Sequence, residues 1–210
     1  MALFAKPKNV NDTAPAQSQS EELGCPAFAS LVATLEREPE HKYHILDLAA
    51  ASGNHIEFFS RFRCRYHIGD VLHVLPDLSP PKEEEPDPDF TRILPLNMAD
   101  KLDLILAWDG LNYLDKELLP QFSRHLIRQC NPGAWLHAFI YTRGDMAAQP
   151  MQFEVLSSDV MRRQAASGGA VGAPCYPQRV LEKLMPGFRA SQSRLLKNGL
   201  QEYLFQVQEY

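Results

Sequence analysis

The sequence predicts a three-layer αβα sandwich, an α/β fold built on a mostly parallel seven-stranded sheet that a C-terminal antiparallel β-hairpin closes. Three observations predict it. Short apolar runs alternate with amphipathic segments from Tyr43 onward, and such alternation implies parallel strands joined by right-handed crossovers. Residues 102–108, Leu-Asp-Leu-Ile-Leu-Ala-Trp, are apolar almost throughout, as a strand covered on both faces must be. Asn198-Gly199 lies between two strand-like runs, residues 188–196 and 200–207, which is the strongest short hairpin signal.

The elements follow in order. Residues 1–22 are rich in Ala, Pro, Gln, Ser and Asn without periodicity; they read as a flexible tail, and residues 23–210 as the α/β domain. Over residues 26–37 the apolar positions Phe28, Leu31, Val32 and Leu35 recur at helical spacing. Pro26 sits in the first turn, where its missing N–H is harmless. Residues 43–48 form the first strand. Residues 54–62 form a helix, with Ser52 or Asn54 as its cap. Residues 65–68 form a second strand ending at Gly69-Asp70. Five prolines between residues 71 and 90 exclude a long helix there. The acidic run Glu83-Glu84-Glu85 in that loop reads as a solvated face.

Residues 91–94 are assigned to a third strand and residues 102–108 to a fourth. Residues 115–130 form an amphipathic helix with Asp115 as its cap, stopped by Asn131-Pro132-Gly133. Residues 134–141 form a fifth strand. Residues 142–174 have no evident period and read as a long loop, either a substrate-contacting insertion or a variable connection. Residues 177–185 form the last helix before the hairpin.

Composition narrows the function classes. With 210 residues, 45% of them hydrophobic, the chain suffices for one domain with a sizeable core. A net charge of −5 argues against nucleic acid, whose binding wants a basic face. Cys25, Cys64, Cys130 and Cys175 form no C-x-x-C pair, so the sequence carries no metal signature and the thiols suit a reducing, cytoplasmic protein. No apolar run approaches the roughly 20 residues of a membrane span, and no secretory leader is evident. The histidines show no ligand spacing, and Cys-based nucleophilic catalysis lacks a partner pattern.

The order of these pieces resembles the class I S-adenosylmethionine-dependent methyltransferases across residues 43–207. Ile45-Leu46-Asp47-Leu48, followed by small residues and Gly53, is similar to the family's first motif, an acidic residue and then Gly-x-Gly-x-Gly. Asp70 stands where the family places an acid for the ribose hydroxyls. Residues 102–109 resemble the fourth-strand motif, with Leu111-Asn112-Tyr113-Leu114 continuing it. Asn131-Pro132-Gly133-Ala134 resembles the Lys-Pro-Gly-Gly that leads into strand five.

The resemblance implies an S-adenosylmethionine cofactor and methyl transfer to an unidentified acceptor. The cofactor-binding residues it implies are Asp47, Ala49, Ala50, Ala51, Gly53, Asp70 and Asp109. Asp47 would order the turn through backbone N–H groups, the turn would hold the methionine end, and Asp70 would accept from the ribose diol. Asp109, at the carboxyl end of the fourth strand where open α/β sheets bind ligands, would meet the cofactor's amino group or the acceptor. Methyl transfer from a sulfonium relies on positioning, so no catalytic base is assigned.

Two departures set the test. Ala49 and Ala51 replace expected glycines, and glycine is favoured where φ is positive or the backbone nears the ligand. The proline-rich loop replaces the regular helix expected between strands two and three. The alternative is a methyltransferase-fold protein without activity that serves as a binding or regulatory module.

Overall fold

The computed structural model describes residues 20–79, 88–96, 100–165 and 168–208. The acidic run at residues 83–85 and most of the expected tail lie outside them. Among the described residues the central sheet has six strands: β2 (Tyr43–Asp47), β3 (Cys64–Ile68), β4 (Leu102–Trp108), β5 (Cys130–Tyr141), β10 (Phe188–Leu195) and β11 (Leu200–Val207). Their order is β10-β11-β5-β4-β2-β3. The pairs β2–β3, β2–β4 and β4–β5 are parallel, and β11 runs antiparallel to both β5 and β10.

The sheet is mixed and six-stranded where seven were expected. The missing strand is residues 91–94, which fall in a short helix, α3 (Phe90–Ile93). Asp89 decides this: its carboxylate accepts from the Thr91 backbone N–H at 3.0 Å and from the Thr91 hydroxyl at 2.5 Å. That capping bond satisfies donors a strand would have had to pair elsewhere.

Two groups of helices cover the sheet. Phe28 of α1 (Pro26–Arg37) packs against Phe58 and Phe59 of α2 (Gly53–Ser60) and against His137 of β5. The second group is α3, α4 (Leu118–Ile127) and α5 (Gln178–Leu184). Every residue of β2 is buried, and all of β4 except Asp103, so side chains pointing to either face meet protein. Asp115 does cap the approach to α4, accepting from the N–H groups of Glu117 and Leu118 at 2.8 Å each. In the hairpin, Gly199 has φ +75°, the left-handed conformation for which glycine is suited.

A second layer covers the carboxyl end of the parallel strands. Residues 142–174 contain four strands: β6 (Asp145–Ala147), β7 (Gln152–Val155), β8 (Val160–Gln164) and β9 (Ala170–Gly172). β6 pairs with β9, and β7 pairs with β8. The other side of β8 pairs with β1 (Ser20–Gly24), with Glu22 opposite Arg162. Residues 20–22 of the expected tail are therefore ordered sheet. No described helix is long and apolar enough to cross a membrane.

Candidate functional site

The backbone knits the first two parallel strand ends together. The N–H of Gly69 donates to Asp47 O at 2.6 Å, that of Asp70 to Ala49 O at 3.2 Å, and that of Val71 to Leu48 O at 2.9 Å. A Cβ at Gly69 would meet Asp47 O and the Leu94 side chain at 3.1 Å, so the close approach favours glycine. Asp70 emerges from this lacing with φ 49°, a conformation Asp tolerates better than most residues. Its side chain is 59% exposed and pairs with His73 at 3.5 Å.

A cleft of about 510 Å³ opens beside it, within the range of small-molecule sites. One side is the turn Ala49-Ala50-Ala51-Ser52 with Asp70, Leu72 and His73. The other is residues 149–154 with Arg162 and Gln164. Outside glycine, the positive-φ residues among those described are Asp70, Trp108 and Cys175. Ala49, Ala50 and Ala51 therefore have ordinary negative φ, and their methyls border an open cleft. The two substitutions for glycine carry no backbone strain.

Gly53, the surviving glycine, is less demanding than its motif suggests. It begins α2, has no positive φ, and a Cβ there would meet nothing within 4 Å. It does not border the cleft.

Asp47 is buried behind the turn. Its Oδ1 accepts from the Ala49 N–H at 2.9 Å and from Trp108 Nε1 at 2.5 Å; its Oδ2 accepts from the Tyr66 hydroxyl at 2.5 Å and faces His55 Nδ1 at 2.9 Å. A carboxylate has about four acceptor sites, and here all are taken. Asp47 orders the turn, as expected, and has no capacity left for a ligand. Burial, and then the Asp47 charge, push the Tyr66 hydroxyl well above the ordinary tyrosine range. Trp108 reaches Asp47 by adopting φ 50° at the end of β4, a strained backbone that the packing around the ring sustains.

Asp109 is likewise withdrawn from the cleft. Its Oδ2 accepts from the Met151 N–H at 3.0 Å, while its buried Oδ1 has no hydrogen-bond partner among the described residues. Burial pushes its carboxyl up to about 7. It acts on the cleft through Met151. Asn112 fixes the adjoining turn, donating to Asp109 O and Phe139 O and accepting from the Tyr141 N–H.

The structure thus brings Ala49, Ala50, Ala51 and Asp70 to one cleft, with Asp47 and Asp109 as buried supports and Gly53 apart. The wall at residues 149–154, with Arg162 and Gln164, lies within residues 142–174, expected as either a substrate-contacting insertion or a variable loop; its strands were not expected. A signal existed: Gln152 and Glu154 alternate with Phe153 and Val155, and the strand period is two. Arg162 is held by Glu22 at 2.9 Å and Glu154 at 3.2 Å. Phe153 points the other way, stacking on Trp108 at 5.3 Å and on Phe139 at 5.0 Å. No group of three or more His, Cys, Asp or Glu side chains among the described residues is arranged to hold a metal ion.

No protein-family model and no curated protein matches the chain. Solved structures do. An S-adenosylmethionine-dependent methyltransferase from Clostridium acetobutylicum ATCC 824 aligns over 88% of this chain and 92% of its own, with 15% identity and a TM-score of 0.52. Magnesium protoporphyrin IX methyltransferase from Synechocystis PCC 6803, with bound S-adenosylmethionine, aligns over 88% of this chain and 79% of its own, with 12% identity and a TM-score of 0.50. The likeness is one of fold: the chain has the class I methyltransferase-like α/β architecture.

Proposed function

From that fold as premise, we propose that the protein binds S-adenosylmethionine in the cleft between the Ala49–Ser52 turn and Asp70 and transfers its methyl group to a small acceptor. The observation that carries the reading is the open cleft itself. It lies at the carboxyl ends of parallel strands, where α/β sheets bind ligands, and neither alanine strains or fills it.

The residues fit the cofactor. The exposed Asp70 carboxylate, which faces His73 at 3.5 Å, retains acceptor sites for two vicinal hydroxyls, as a ribose diol requires. The turn of small side chains lets a ligand approach the backbone closely. Asp47 holds that turn through the Ala49 N–H, and Asp109 holds the opposite wall through Met151. When bound, the sulfonium supplies an activated methyl group. The chain's own part is to orient the reactants and exclude water. The unpaired cysteines fit a reducing, cytoplasmic setting.

A second reading, an inactive methyltransferase-fold binding module, draws on one observation. Phe153 and the stacked rings of Trp108 and Phe139 roof the ends of β4 and β5, and Asp109 is sealed behind Met151. Calorimetric titration of the full chain with S-adenosylmethionine and S-adenosylhomocysteine separates the possibilities. Binding of both is expected. Failure of both to bind at millimolar concentration would sink the proposal. Binding without methyl transfer to any of a panel of small amines, alcohols and thiols would favour the module.

A further inference from the structure

The two sides of the cleft are joined from behind by one side chain, His55. It sits in the first turn of α2, buried at 1% exposure, where Ser52 accepts its backbone N–H at 3.4 Å. Its Nδ1 lies 2.9 Å from Asp47 Oδ2, and its Nε2 lies 2.9 Å from the carbonyl oxygen of Phe153. A carbonyl oxygen can only accept, so Nε2 carries a proton. The Asp47 carboxylate takes donors on both of its oxygens and, as a carboxylate, can only accept, so Nδ1 also donates to it. With both ring nitrogens donating, the imidazole is an imidazolium.

The surroundings suit a cation. Asp47 supplies the opposite charge, and the faces of the Trp108 and His55 rings stack at 4.6 Å and 17°, a geometry that favours a cation over an aromatic ring. The other ionisable groups facing this region are Tyr66 behind Asp47, and Asp70, His73, Glu154 and Arg162 around the cleft. Of these, Arg162 is shared between Glu154 and Glu22.

We propose that His55 is the positioning residue of the site: a buried imidazolium that clamps Phe153 of the cleft wall to Asp47 beneath the cofactor turn, and so sets the width of the cleft. The Asp47–Ala49 bond fixes the turn from one side, and the Phe153 bond fixes β7 from the other. Loss of either ring proton breaks one half of the link. The clamp rests on the cofactor reading only for its effect on affinity; its existence is tested without any ligand.

The first test is nitrogen-15 NMR of the full chain with labelled histidine near neutral pH. Two protonated ring nitrogens on His55 are expected, and one unprotonated ring nitrogen would overturn the clamp. The second is amide exchange of His55→Ala. A hydrogen bond to a charged group is strong enough that exchange over residues 149–155 should rise about 10- to 100-fold, and added imidazole, admitted through the cleft that His55 borders, should restore protection. A rise spread evenly over the central sheet, or no rescue, would mean packing alone and overturn the proposal. The third is S-adenosylmethionine affinity, expected to fall at least about tenfold in His55→Ala, since displaced site groups lose binding steeply. Equal affinity of variant and parent would refute the positioning role. Absence of binding to the parent would refute the cofactor reading, and the first two tests would still decide the clamp.

Discussion

Replacing Asp109 by Asn should make the protein's stability less dependent on pH, and the size of the change follows from burial. The Asp109 carboxyl is 1% exposed, and its Oδ1 has no hydrogen-bond partner among the described residues. Burial raises it from 3.8 to about 7, against the opposing pull of the Met151 N–H and the more distant Arg163. Arg163 is itself committed to Glu21 at 2.7 Å. Each tenfold change in proton affinity corresponds to about 1.36 kcal/mol, so the shift is of order 4 kcal/mol. Since the folded state holds this proton more tightly than the unfolded state, stability from this group is fully present below the ordinary carboxylate range. It is lost as pH rises toward 7 and stays lost above that. In Asp109→Asn the amide oxygen still accepts from Met151, but its NH2 takes the unpartnered position, which costs about 1–3 kcal/mol. At pH 5 the variant should therefore be equal to the parent or slightly less stable, and at pH 8.5 more stable by about 1–3 kcal/mol. Urea unfolding at several pH values reads this directly. A difference between variant and parent that stays constant from pH 5 to 8.5 would refute the buried, proton-holding Asp109.

Three further outcomes are expected. Glu202 accepts from the N–H groups of Ala27 and Phe28 at the start of α1 and faces His137 Nε2 at 2.9 Å; Glu202→Gln should remove about 3 kcal/mol, seen calorimetrically as a fall in Tm of roughly 6–12 °C, and an unchanged Tm would contradict this anchoring. Gly199→Ala, with φ +75° and Arg143 Cγ at 2.9 Å from the added methyl, should destabilise by about 1–2 kcal/mol. Gly53→Ala, with open space and no positive φ, should stabilise by a few tenths of a kcal/mol, so equal shifts in the two urea midpoints would refute the distinction. Asp70→Ala should weaken S-adenosylmethionine binding about 10- to 100-fold through lost charged hydrogen bonds while leaving unfolding nearly unchanged; Asp70→Asn, which tolerates the same φ of 49°, separates charge from backbone, and unaltered calorimetric affinity in both would remove Asp70 from the site.

The parallel core was legible because its signals are local. Helical spacing marked α1, the apolar run marked β4, and Asn198-Gly199 marked the hairpin between β10 and β11. The small-residue turn and Asp70, which border one cleft, were legible as neighbouring strand ends because strand ends and turns are written in consecutive residues. The third expected strand is a helical turn for an equally local reason: Asp89 caps Phe90–Ile93, and a single capping carboxylate prevails over the apolar content of the segment.

The alternating α/β order, the acidic strand ends and the loss of two glycines can be read from consecutive residues. Their surroundings are set by packing between distant segments. The wall of the cleft depends on β1 meeting β8 across some 140 positions, Glu22 against Arg162, and no local pattern encodes a partner so distant. Whether Ala49 and Ala51 obstruct a ligand depends on φ and on the space beside each methyl, quantities set by packing. Asp47 and Asp109 read alike as acids at strand ends. Burial separates them: four hydrogen-bond partners surround the first, and one N–H serves the second. Asp70 differs from both in standing exposed at the cleft, where its carboxylate faces His73 at 3.5 Å.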